Sequence, residues 1–126
     1  MQKGSSKIYS FTDLVAWQKA HELVLEIYST TKKFPADERF GLSSQMRRSS
    51  ASISANLAEG FGRQGNQEKI QFYIIARGSD TELQDQLLIA RDLKYIPGAD
   101  CEKMLDMTVV VHKLINGLIK SMRMNK

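Results

Sequence analysis

Arg47 and Arg48 stand side by side, with Asn56 and Glu59 following on the same stretch, and a second polar set comprises Arg77, Asp80, Glu82 and Gln86. A guanidinium is a planar fork that grips a carboxylate or a phosphate through paired N–H bonds. Two chemistries follow. In one, the arginines meet Glu59, Asp80 and Glu82 in an interhelical or intersubunit network that fixes register. In the other, they face a phosphate backbone. Arg48 and Arg77 read as structural, and Arg47 suits both.

Catalytic chemistry finds little to stand on. Zinc needs three or four ligands from Cys, His or carboxylate, and the chain has one cysteine, Cys101, and two histidines, His21 and His112. A di-iron bundle wants Glu-x-x-His pairs, and neither histidine has an acidic residue three positions earlier. No serine sits in a nucleophile-elbow setting. Cys101 opens a predicted helix, where a thiolate would be favoured, although a small residue is common there. The glycines of Glu59–Asn66 (EGFGRQGN) lack the Gly-Lys-Ser/Thr ending of a phosphate loop, and no strand precedes them. The expectation is a non-enzyme with no metal and no cofactor.

Charge is more informative. The net charge is +4, yet its distribution is uneven. No acidic residue follows Asp106, while Lys113, Lys120, Arg123 and Lys126 do. From Arg39 to Arg63, four basic residues face Glu59 alone. Arg47, Arg63, Lys113, Lys120 and Arg123 lie off the apolar stripes in these two acid-poor segments. They are the candidate contacts to a nucleic-acid backbone. The competing reading is solubility, with cations favouring a helix C-terminus. Aromatic platforms for single-stranded RNA are not evident, because nearly all aromatics fall on core stripes.

The elements that must position these residues are helices. Apolar residues recur at helical spacing in four blocks, approximately 13–32, 41–60, 66–95 and 101–124, separated by Pro35, by Gly60, Gly62 and Gly65, and by Pro97-Gly98. This predicts an all-α, antiparallel up-and-down four-helix bundle in a single domain spanning 1–126. Thr12 or Asp13, Asp37, Asn66 and Asp100 are candidate caps, and Gly60 a candidate left-handed helix end. Trp17 reads as a packing anchor and His21 as partly buried. The second helix has a core stripe of Leu42, Met46, Ser49, Ser50, Ile53, Leu57 and Gly60. Its back, Ser44, Ala51, Ser52, Ala55 and Ala58, is nearly all small and lets another backbone come close. In the third helix the core stripe is Phe72, Ile75, Ala76, Ser79, Leu83, Leu87, Ala90 and Leu93. Ile70, Ile74 and Leu88 form a second stripe suited to a subunit interface. Gly78 costs ~1 kcal/mol in a helix interior, which close packing would offset. The fourth helix offers Met104, Met107, Val111, Leu114, Ile115, Leu118 and Met122 to the core. No apolar run approaches the ~20 residues that span a bilayer, and the N-terminus lacks an apolar signal segment. With a lone cysteine, this points to the cytoplasm and away from a membrane.

Gly41–Gly60, GLSSQMRRSSASISANLAEG, with Asp13–Tyr28 (DLVAWQKAHELVLEIY) and Ala76–Leu87 (ARGSDTELQDQL), resembles the bacterial four-helix-bundle family encoded in intervening sequences of large-subunit (23S) ribosomal RNA genes, the S23 family. The resemblance spans roughly Phe11 to Arg123. More distantly, the chain is similar to accessory bundles of diversity-generating retroelements, which work with reverse transcriptase and RNA. The resemblance implies a ring-like homopentamer, and the basic residues make RNA or a ribonucleoprotein the candidate partner of an oligomeric scaffold. It brings no established activity. A protein-only assembly module is the alternative, its arginines serving as internal glue.

Overall fold

The computed structural model describes residues 7–124. Four α-helices dominate them: α1, Val15–Thr31; α2, Leu42–Phe61; α3, Asn66–Asp92; and α4, Gly98–Met124. Single 3-10 turns at Phe11–Asp13 and Ala36–Glu38 precede α1 and α2, and no strand occurs among the described residues.

Cross-helix bonds define the topology. Arg48 and Ser52 of α2 meet Glu82 and Ser79 of α3, while Arg77 and Gln84 of α3 meet Asn116 and Thr108 of α4. In each pair, later residues of one helix contact earlier residues of the next, so the neighbours run antiparallel. Arg47 ties α2 to Thr31 at the end of α1. Contacts of Glu26 with Lys103 and of Thr30 with Met104 close α4 onto α1. The result is the expected four-helix bundle.

The helix ends differ from the expected caps. Ser10 and Asp13 form a capping box ahead of α1, with the Ser10 hydroxyl accepting from the Thr12 amide. Glu38, not Asp37, caps α2: one carboxylate oxygen accepts from the Leu42 amide at 3.0 Å and the other from the Tyr95 hydroxyl at 2.7 Å. Those two bonds hold the Glu38 carboxyl below its usual range and fasten the α1–α2 connection to the α3–α4 connection. Gly60 remains inside α2, and no described glycine has positive φ; Lys94, at 64°, takes the left-handed position after α3 instead. Gly65 precedes α3, so Asn66 is its first residue rather than its cap. α4 begins three residues early, placing Asp100 in its first turn.

All four helices contribute to one core, which includes fully buried Leu23, Ile27, Ile53, Leu57, Leu83, Leu87 and Ile115. Each such side chain contributes roughly 1.5–3 kcal/mol by leaving water. The α2 stripe lies where expected, with only Leu42 half-buried. In α3, Ile70 and Tyr73 occupy the core, while Ile75 and Leu93 are each 51% exposed. Ile70 is therefore a core residue and not part of an interface stripe. The α4 stripe is rotated by about one residue: Cys101, Thr108 and Ile119 are buried, and Met107, Leu114, Leu118 and Met122 pack half-buried beside them. Thr108 fits an apolar site because its hydroxyl donates back to the Leu105 carbonyl at 2.6 Å. Trp17 is half-buried, with Phe11 edge-on and His21, itself exposed, stacked at 4.7 Å.

Candidate nucleic-acid interface

Antiparallel packing gathers the C-terminal ends of α2 and α4 and the N-terminal end of α3 at one end of the bundle. Arg63 lies at that end beside Phe72 on the α2 side, Lys120 and Arg123 on α4, and the Asn66 side chain donates to the Met122 carbonyl at 3.2 Å, fixing α3 against the last turn of α4. Lys113 lies two turns before Lys120 on one face of α4, roughly 10 Å away. Lys113, Lys120 and Arg123 are exposed and make no ion pair among the described residues. Beside Arg123, a groove of about 840 Å³ runs between α3 and α4, lined by Asn66, Gln67, Ile70, Gln71, Ile74 and Met122.

The other cations at this end are partly committed. Arg63 donates to Glu59 at 2.9 Å, and its guanidinium lies 4.6 Å over the Phe72 ring, yet its side chain stays 42% exposed. Lys69 donates to the Phe61 carbonyl at 2.6 Å and so satisfies the end of α2. Arg47 stands apart, about 24 Å along α2 from Arg63. Its Nε donates to the Thr31 hydroxyl at 2.8 Å, and its guanidinium covers the Tyr28 ring at 4.7 Å. This makes Arg47 a strut between α2 and α1.

The sequence matches the family model described as 23S rRNA-intervening sequence protein over residues 12–117. The chain belongs to this family. A crystal structure of a protein with unknown function from the S23 ribosomal protein family of Bacteroides thetaiotaomicron VPI-5482 is similar to it, with a TM-score of 0.78 and 26% identity. That likeness covers 84% of this chain and 96% of the other. The comparison with curated proteins finds no match.

In this member of the 23S rRNA-intervening sequence protein family, the polar set expected to form one network divides across α3. On the α2 side, Arg48 pairs with Glu82, and Gln45 accepts from Arg48 at 3.0 Å. The Gln86 amide reaches Glu82 at 3.5 Å, and the Ser52 and Ser79 hydroxyls meet at 2.8 Å. Asn56 donates to the Ser52 carbonyl one turn back, and Glu59 turns to Arg63, so both act within or near their own helix. On the α4 side, Arg77 donates to Asn116 at 2.9 Å, and Asp80 faces His112 rather than any arginine. Residues at 79, 82 and 86 point one way around α3 and those at 77, 80 and 84 another, because each position advances about 100°.

Asp80 is fully buried and neither carboxylate oxygen has a hydrogen-bond partner. Burial pushes its pKa up to about 7. His112 escaped the sequence reading because its partner lies on another helix. The four-residue spacing of Thr108, His112 and Asn116, matched by Asp80 and Gln84, marks the polar seam. Cys101 also differs from expectation: it is buried, and burial raises its pKa instead of lowering it. Ile74 and Leu88 are 39% and 37% exposed, joined by Ile75 and Ile89 at 51% and 42%, and Ala55 is exposed on α2. Among the described residues, no group of three or more His, Cys, Asp or Glu is placed to hold a metal ion, and no helix is long and apolar enough to cross a membrane.

Proposed function

We propose that this protein is a non-catalytic oligomeric scaffold that binds RNA, or a ribonucleoprotein, through Lys113, Lys120, Arg123 and Arg63. The observation that carries the reading is three exposed, unpaired cations on the acid-free half of α4, with Arg63 at the same end. Lysines and half-committed arginines meet phosphates as point charges, so binding reads the backbone and shows weak sequence preference. A second copy covers the Ile74, Ile75, Leu88 and Ile89 face of α3, with the homopentamer implied by the family resemblance as the assembly. A ring multiplies a modest patch into useful avidity.

A specific observation favours the protein-only alternative. Arg47, Arg48 and Arg77 are all engaged within the bundle. Salt separates the readings. Gel-shift titration with 23S rRNA fragments should weaken steeply with ionic strength, and Lys113→Gln/Lys120→Gln/Arg123→Gln should lower the magnitude of the log–log salt slope by about 2–3. Helicity and mass should be unchanged. Absence of wild-type binding at low salt would establish the protein-only reading, and equal binding by the triple variant would displace the surface.

A further inference from the structure

Three polar pairs cross the α3–α4 seam in succession. Arg77 donates to Asn116 at 2.9 Å, Gln84 donates to Thr108 at 3.0 Å, and between them Asp80 Oδ2 stands 3.9 Å from His112 Nδ1. The outer rungs are formed hydrogen bonds and the middle one is open. Both Asp80 oxygens and His112 Nδ1 are buried without a partner, although the His112 side chain is 38% exposed as a whole. A separation of 3.9 Å exceeds a hydrogen bond. It is also shorter than the ~4.5 Å that one well-placed bridging water spans. A movement of about 1 Å by the imidazole closes the rung directly.

No other charged group competes for Asp80. Its charged neighbours on α3, Arg77 and Glu82, turn to Asn116 and Arg48. α2 has no titratable residue between Arg48 and Glu59. On α1, Lys19 pairs with Glu22, His21 stacks on Trp17 and Glu26 meets Lys103. On α4, only His112 comes within ion-pair reach.

We propose that Asp80 and His112 form a proton-operated latch on the α3–α4 seam: one proton shared by the pair closes the middle rung, and its loss opens it. With that proton on Asp80, the carboxylic acid can donate to the imidazole Nδ1. That bond gives Asp80 Oδ2 a partner and leaves no net charge on the buried carboxyl. Without the proton, a buried carboxylate keeps its full charge against at best one neutral N–H, a costly arrangement in low dielectric. The exposed part of the imidazole connects the buried oxygen to bulk water.

The sign follows from burial, which raises Asp80 from 3.8 to about 7. The folded chain binds the proton more tightly than the unfolded chain does. Stability from the latch is therefore complete below about pH 4 and is lost as pH rises through about 7. Between pH 6 and 8, the unfolding constant should rise about tenfold from the Asp80 carboxyl alone.

Urea unfolding of the full chain at pH 6, 7 and 8 tests this, together with ¹³C NMR titration of the Asp80 carboxyl. Wild type should show the tenfold change, Asp80→Asn should change less than twofold, and the carboxyl signal should titrate near neutrality. His112→Gln should displace that midpoint by at least half a pH unit while leaving the fold intact. An Asp80 carboxyl titrating near pH 4, or an Asp80→Asn variant that keeps the tenfold change, would overturn the latch. So would a midpoint indifferent to His112. The NMR arms use wild type and His112→Gln, so they decide the question even if Asp80→Asn folds poorly.

Discussion

Replacing Gly60 by alanine adds a methyl group where α2 packs tightly against α3, and the same change at Gly78 adds one to open space. The comparison isolates packing from helix propensity. A Cβ at Gly60 would stand 2.7 Å from Tyr73 Cε1 and 3.0 Å from Phe72 Cβ. Tyr73 is only 2% exposed, so its ring has no room to swing, and Phe72 Cβ moves only with the α3 backbone. Alanine gains ~1 kcal/mol of helix propensity, while overpacking a tight site costs ~1–3 kcal/mol or more. A contact of 2.7 Å with a buried ring puts the cost in the upper part of that range, about 2–3 kcal/mol, so Gly60→Ala should destabilise the fold by about 1–2 kcal/mol. At Gly78 nothing beyond the local backbone of its own helix lies within 4 Å of the added carbon among the described residues, so only the propensity gain remains. Gly78→Ala should stabilise the isolated subunit by about 0.5–1 kcal/mol, raising its midpoint by roughly 2–5 °C.

Urea titrations followed by circular dichroism, repeated across a hundredfold range of protein concentration, measure both changes and separate folding from assembly. A Gly60→Ala variant as stable as wild type would refute the close-approach argument. A Gly78→Ala variant that unfolds more easily at the lowest concentration would refute the open-space argument. Gly78 also lies on the face bearing Ile74, Ile75, Leu88 and Ile89. If a second copy packs there, Gly78→Ala should weaken assembly while strengthening the subunit. No close neighbour within the bundle offsets the glycine, contrary to the sequence expectation.

Two further outcomes follow from named contacts. Ile74→Glu places a charge in the exposed apolar face of α3 and should reduce native mass to that of the monomer with helicity retained; an unchanged mass would move the interface elsewhere. Arg48 and Glu82 are 52% and 42% exposed, so a double-mutant cycle should give a coupling of about 0.3–1 kcal/mol, falling with salt. A coupling above ~2 kcal/mol would show that the pair is desolvated, as burial by another subunit would make it.

The division into four helices was legible because Pro35, the Gly60–Gly65 cluster and Pro97-Gly98 punctuate otherwise periodic sequence. The core face of α2 was legible because it has one broad apolar stripe. α3 was less so: its apolar residues lie in two adjoining rows, and Ile75 reads as more core-like than Tyr73 although the structure buries Tyr73. α4 misled for a different reason. Thr108 looks polar in sequence, but its hydroxyl returns to its own helix, and accepting it as a core residue rotates the stripe toward Ile119. For the basic residues, sequence placed Lys113, Lys120 and Arg123 off the core, where they lie. It gave no sign that Arg47 is held by α1, since that depends on the crossing of two helices. The Asp80–His112 pair is likewise a product of tertiary register.

The fate of each guanidinium narrows how this bundle could meet RNA. Arg47 is held by Thr31 and Tyr28, Arg48 by Glu82, and Arg77 by Asn116. Those forks are the groups best suited to bidentate recognition, and all three already have partners. Arg63 retains some exposure but shares its charge with Glu59. What remains is a row of long, flexible cations on α4, beside a groove whose lining mixes Asn66, Gln67 and Gln71 with Ile70 and Ile74. Such a surface attracts a phosphate backbone through counterion release more than through fixed geometry. Its affinity depends on how many copies present it together. The apolar face of α3 and the basic row of α4 are thus linked parts of one proposal: if the first does not assemble the subunits, the second has few charges with which to hold RNA at physiological salt.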